Sequence, residues 1–149
     1  MALAFVAAAS LTIIGCTKQA TPGGSSAVTA PSVTLPFDAP SASQLATAAG
    51  LLFPGSVADY RSVKFDAATL NVGFTMAAND VDSFATGSSL TLNPDTRLIT
   101  HSSPVWEQNP AGSISSGKKT YNGLTSTVEV ASTGADRVTV RLVVAATGS

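Results

Sequence analysis

The sequence predicts an α+β domain, a small antiparallel sheet of about four to five strands with two short helices on one face. Three observations carry that prediction. Leu70, Val72, Phe74 and Met76 alternate with Asn71, Gly73 and Thr75, the period-two signature of a half-buried strand. Val138, Val140, Leu142 and Val144 repeat the alternation near the C-terminus. Residues 41–49 and 79–87 each carry helix start and stop residues at suitable spacing. An all-β sandwich with a long connecting loop is the competing architecture.

Taken in order, Ser41 or Ser43 caps a helix through Ala49, with Leu45, Ala48 and Ala49 on one face and Gly50 ending it. Phe53-Pro54-Gly55 turns the chain. Residues 57–65 read as a strand carrying Tyr60 and Val63, closed by Asp66-Ala67, and pair with the alternating strand that follows as a hairpin. Asn79 caps a second helix. Asp80 and Asp82 fall in its first turn, where the helix dipole favours carboxylates, while Val81, Phe84 and Ala85 form its apolar face and Gly87 ends it. Across residues 88–117 the patterning is weak. Leu90-Thr91-Leu92 and residues 97–100 read as short strands, with turns at Asn93-Pro94 and Asn109-Pro110. Residues 119–132 form a strand with Tyr121, Leu124, Val128 and Val130; Gly134-Ala135-Asp136 turns the chain into a last strand over residues 137–146.

Composition bounds the function. Only 11% of the 149 residues are charged and the net charge is -1, against about 25% charged in an average soluble protein. Such a chain has no field to draw in nucleic acid. Nor does it carry a Lys/Arg cluster for acidic lipid headgroups. A single cysteine, Cys16, rules out an internal disulfide.

Residues 2–14 are uncharged and largely apolar. The run is too short to span a membrane, which takes about 20 residues, and it suits a signal-peptide core of about 7–15. It ends at Ile13-Ile14-Gly15-Cys16, which resembles the bacterial lipobox: a branched aliphatic residue, a tolerant position, a small residue, then cysteine. Ile14 is bulkier than that pattern prefers. The resemblance implies a diacylglyceryl group on the Cys16 thiol and cleavage between Gly15 and Cys16. Residues 1–10 lack the Lys or Arg of a signal peptide, so the expectation is a true start further upstream. Two acyl chains anchor a protein stably where one binds reversibly. The alternative reading is a buried helix with Cys16 as a small core residue.

Residues 17–40 hold Pro22, Pro31, Pro36, Pro40 and Gly23-Gly24, with few large apolar side chains. Such a segment buries too little to offset its ordering entropy and reads as a disordered tether. Phe37 is the exception, able to dock onto the domain. The organisation is thus residues 1–15 signal peptide, 16–40 lipidated Cys16 and tether, and 41–149 a single domain.

Few residues carry recognisable chemistry. Gly112-Ser113-Ile114-Ser115-Ser116-Gly117-Lys118-Lys119-Thr120 approaches a phosphate-binding P-loop. However, Lys119 stands where Ser or Thr should hold magnesium, and a strand follows instead of a helix; a solvated turn with two lysines is the simpler account. His101, the only histidine, can act as a base for Ser102 or Ser103, but no nucleophile elbow surrounds it. One His and one Cys do not make a zinc site, and Asp80-Val81-Asp82 lacks the rest of a calcium loop. No metal and no cofactor is expected. Trp106, alone of its kind, sits in an irregular segment, where an aromatic anchors a partner or plugs the open end of the core.

From Phe53 onward the chain loosely resembles actinobacterial lipoproteins with no assigned function. The likeness rests on Phe53-Pro54, on Val72 and Phe74, on Asp80-Val81-Asp82-Ser83-Phe84, on Trp106, and on Val138-Thr139-Val140-Arg141-Leu142. It implies a cell-envelope location and no activity. The expected function is therefore a membrane-anchored, non-enzymatic binding or interaction module. Its partners are membrane lipid, through acylated Cys16 on the extracytoplasmic face, and an envelope protein or cell-wall component, with Trp106 as contact. The alternatives are an envelope hydrolase or transferase using His101 with a nearby Ser, and an apolar-ligand carrier with a cavity lined by Phe65, Phe74 and Phe84.

Overall fold

A computed structural model describes residues 34–107, 110 and 112–147. Gly15, Cys16, the apolar leader, residues 17–33 and Asn109 lie outside the described residues. The alternating segments form one open antiparallel sheet of six strands, more than the four to five expected. It is a single sheet, not a sandwich.

Helix α1 (Ala42–Ala49) begins at Ser41. There the Gln44 amide donates to Ser41 Oγ and the Ser41 amide donates to Gln44 Oε1, a reciprocal capping box. Gly50, at φ +62°, ends it in the left-handed conformation that glycine adopts without penalty. Strands β1 (Ala58–Lys64) and β2 (Thr69–Ala77) pair as the expected hairpin, with a bulge between Ala58 and Arg61.

Helix α2 (Val81–Gly87) follows a 3₁₀ turn over Ala78–Asp80, so Asn79 lies inside that turn and is not the cap. Asp80 occupies the cap position but makes no side-chain cap bond. Its carboxylate instead accepts from the Ser56 hydroxyl, whose oxygen accepts from the Ala77 amide at 3.0 Å. The carboxylate thus ties the approach to β1 to the end of β2.

The weakly patterned region departs most from expectation. Strand β3 is only Asn93–Pro94, the pair expected to turn. Leu90-Thr91-Leu92 and residues 97–100 are not strands. Leu90 and Leu92 instead pack on the core as the chain passes over Gly117, where a β-carbon would lie 2.5 Å from the Thr91 carbonyl oxygen. Strand β4 (Ile114–Tyr121) takes in both lysines, so the solvated turn expected there is a strand. A two-residue turn, Asn122-Gly123 at φ +47° and +72°, joins it to β5 (Leu124–Ser132). These are the positive φ values of a type I′ hairpin. Residues 119–132 are therefore two strands rather than one. Strand β6 (Arg137–Ala146) has the expected bounds and runs between β2 and β5 in the order β1-β2-β6-β5-β4-β3.

One face of the sheet carries Leu70, Val72, Phe74, Met76, Val128, Val130, Val138, Val140, Leu142 and Val144, covered by Leu45 and Ala49 of α1 and Phe84 of α2. Phe53 meets Phe74 edge-on at 5.2 Å, and Phe74 meets Phe84 at 6.1 Å. Phe65 is 57% exposed, so Phe65, Phe74 and Phe84 do not line one cavity. Packing begins before Ser41: Leu35 is buried, its amide donating to the Ala67 carbonyl, and Phe37 is half-buried against the core.

Candidate functional site

The opposite face holds Asn71 and Gly73 on β2, Thr139 and Arg141 on β6, and Glu129 and Ala131 on β5. By strand alternation these should face water. Instead residues 97–107 lie across them. Gly73 makes this possible, because a β-carbon there would sit 2.1 Å from the Val105 carbonyl oxygen and 3.2 Å from the Trp106 ring. Trp106 is 7% exposed, and its indole N–H donates to the Val72 carbonyl at 2.7 Å. It is neither an exposed partner anchor nor a plug at the end of the helix-side core. It fastens the loop to the second face.

Beneath the loop, Glu129 and Arg141 stand opposite each other on neighbouring strands, both buried, with Arg141 Nη1 4.0 Å from Glu129 Oε2. Glu129 Oε1 accepts from the Leu98 and Ile99 amides, each at 2.8 Å. Arg141 Nη2 donates to the Glu107 carbonyl oxygen, and its guanidinium lies 5.9 Å from the Trp106 ring centroid. The pair therefore grips the covering loop at both ends. Burial lowers the Arg141 pKa, with the Glu129 carboxylate opposing the shift and Arg97 adding to it; a guanidinium stays charged regardless.

The loop leaves a cleft of about 140 Å³ whose walls include Arg97, His101, Ser103, Trp106, Glu107 and Arg141. His101 Nε2 faces Asn71 Oδ1 at 3.1 Å, an acceptor that places the ring proton on Nε2. The ring stacks obliquely on Phe65 at 4.8 Å and on Trp106 at 5.1 Å. Of the serines considered as nucleophiles, Ser102 is exposed and also lines the cleft. Ser103 is 4% exposed, and its hydroxyl has no hydrogen-bond partner, His101 included. Among the described residues no three His, Cys, Asp or Glu side chains gather as metal ligands would, and no helix is long and apolar enough to cross a membrane.

The structure thus brings His101, Ser102, Ser103 and Trp106 to one cleft with Arg141, and sets Asn71 against His101 and Glu129 against Arg141; the sequence alone singles out none of Asn71, Glu129 or Arg141. Their signal was present: Glu129 lies between Val128 and Val130, and Arg141 between Val140 and Leu142. A lone charge in the middle of an apolar strand marks either a solvated face or a buried pair.

Fold and cleft together define an open-sheet α+β domain with a small polar site under a loop. No family model, no curated protein and no solved structure matches the chain.

Proposed function

We propose that the chain is an exported lipoprotein, held at the extracytoplasmic face of the cell membrane by a diacylglyceryl group on Cys16. It acts there as a non-enzymatic binding module. The observation that carries the proposal is Ile13-Ile14-Gly15-Cys16 at the end of an uncharged apolar run. With a net charge of -1 and no basic cluster, the lipid supplies the membrane affinity that charge cannot. Binding is assigned to the cleft at Trp106, since that is where charged and hydrogen-bonding side chains converge.

Cells fed radioactive palmitate test the anchor. The wild-type chain should carry label and sediment with membranes, whereas Cys16→Ser should do neither; a labelled Cys16→Ser protein would sink the proposal. Cross-linking in native membranes followed by pull-down should then recover an envelope protein or cell-wall component. The second reading, a hydrolase using His101 with Ser102 or Ser103, draws support from their sharing one cleft. A fluorophosphonate probe tests it, since modification of Ser102 or Ser103 would favour that reading. The amide partner of His101 and the unbonded Ser103 hydroxyl favour the binding module.

A further inference from the structure

Buried polar side-chain atoms almost always find hydrogen-bond partners, and the few that do not call for an explanation. Among the described residues the buried atoms without one are Asn71 Nδ2, Ser103 Oγ, Ser126 Oγ, Glu129 Oε2 and Arg141 Nε. Ser103 and Arg141 line the cleft directly, and Asn71 holds His101 in its wall. The two in cleft-lining residues can both donate, Ser103 through its hydroxyl and Arg141 through its guanidinium Nε–H. Glu129 Oε2, an acceptor 4.0 Å from Arg141 Nη1, belongs to a residue behind the cleft rather than in its lining. Donor capacity is therefore in surplus at one place, and desolvated donors without partners are costly to keep.

Charge narrows the class of ligand. Arg97 at the rim and Arg141 on the floor supply two guanidinium groups, while Glu107 at the rim and Glu129 below supply two carboxylates. A dianion would meet the Glu107 carboxylate in the cleft wall and the charge of Glu129 behind Arg141. A monoanion with several lone pairs takes up the idle donors without that opposition, and guanidinium groups recognise a planar carboxylate in particular. A cleft of about 140 Å³ admits a head group and a short stem rather than a whole large ligand.

We propose that this cleft is a carboxylate-binding site, seating a small carboxylic acid or the C-terminal carboxylate of a peptide beside Arg97, Ser103 and Arg141. The proposal rests on the binding-module reading and gives it a ligand class.

Trp106 is the only tryptophan in the chain and forms part of the cleft wall, so its emission reports occupancy. The test uses the full lipidated protein in nanodiscs at constant ionic strength. Acetate, N-acetyl-Ala-Ala, its C-terminal amide and sulfate are titrated in turn. Acetate and the free-acid dipeptide should each change Trp106 emission saturably, and the amide and sulfate should not. A dipeptide that binds at least tenfold tighter than acetate assigns the site to peptide termini, and equal affinities assign it to free acids. Arg97→Gln, an exposed change, should weaken acetate binding about tenfold, as loss of a charged hydrogen bond does. Ser103→Ala should weaken it severalfold while leaving the thermal midpoint unchanged or raised by a few degrees, an outcome that a purely structural serine would not give. No saturable response to either carboxylate, equal binding of sulfate, or full affinity in Arg97→Gln would overturn the inference. If cross-linking recovers a partner while the carboxylates give no response, the binding-module reading stands and the ligand class falls.

Discussion

Glu129 and Arg141 sit in mid-strand with apolar neighbours on either side, and both are buried. Removing one member of such a pair strands the other charge, which costs about 3–5 kcal/mol. Glu129→Ala should therefore destabilise the domain by that amount in urea unfolding, since it also orphans the Leu98 and Ile99 amides. Glu129→Gln keeps an acceptor for those amides and should cost clearly less. Equal losses in the two variants would mean that the amide contacts contribute little. Tyr60 carries a different residue-scale prediction. Its hydroxyl donates to the Pro40 carbonyl at 3.1 Å, and burial pushes its pKa from 10.0 to about 12, with Ser62 opposing. The folded value lies above the unfolded one, so the associated stability is intact below pH 10 and is lost as the pH climbs towards 12. Across that window the unfolded chain ionises while the folded one resists. Tyr60→Phe should lower stability by about 1 kcal/mol at neutral pH through the lost hydrogen bond. It should also flatten the alkaline decline, read as urea midpoints from pH 9 to 12. Alternation in the sequence tells which face Glu129 and Arg141 share. It does not tell that a loop 30 residues away in sequence covers that face, because no local pattern records a long-range contact.

The helices show what element-level signals can and cannot deliver. Ser41 or Ser43 and Gly50 announce α1 because capping is chemistry between near neighbours; the observed cap uses Ser41, with Gln44 reciprocating, and Gly50. Asp80 reads equally well as a dipole partner for α2, but Ser56 claims its carboxylate, and a tertiary contact overrides the local one. The Asn122-Gly123 hairpin was legible from the dipeptide alone, yet the β-favouring residues around it read as one continuous strand. From sequence Lys119 falls where a solvated turn meets the start of a strand. It instead reaches from β4 to the C-terminal ends of both helices, its ammonium donating to the Gly50 carbonyl at 2.5 Å and the Ser88 carbonyl at 2.7 Å. The last carbonyls of a helix lack intrahelical partners and carry partial negative charge, so a cation there satisfies both needs. Lys119→Met should cost about 1.5–3 kcal/mol, the range for a hydrogen bond to a charged group. It should also speed amide exchange in the last turns of α1 and α2. Lys118, the exposed neighbour, is the control, and Lys118→Met should change neither by more than about 0.5 kcal/mol.

At the scale of the whole molecule the sheet is built around its last strand. β6 pairs from Arg137 to Ala145 with β2 on one side and from Val138 to Ala146 with β5 on the other. It is therefore the seam that joins the N-terminal hairpin to β5, β4 and β3. It also supplies Val138, Val140, Leu142 and Val144 to the helix-side core and Arg141 to the cleft. Burying one such aliphatic side chain contributes about 1.5–3 kcal/mol. Four of them approach or exceed the whole stability of a typical domain, about 5–15 kcal/mol. Without β6, what remains is a two-stranded hairpin, marginal on its own in water, and a separate group of strands with its apolar face uncovered. A chain ending at Asp136 should therefore lose both core and cleft together. Its Trp106 emission should sit at the wavelength of a solvated indole, and no cooperative urea transition should be seen. Conversely, in the intact chain the β6 amides paired to β2 and β5 should exchange most slowly, at the rate set by global unfolding, ahead of those in the edge strands β1 and β3. A truncated chain that still unfolds cooperatively would mean that the two halves are independent units, and the cleft would then have to be rebuilt from β5 and the loop alone.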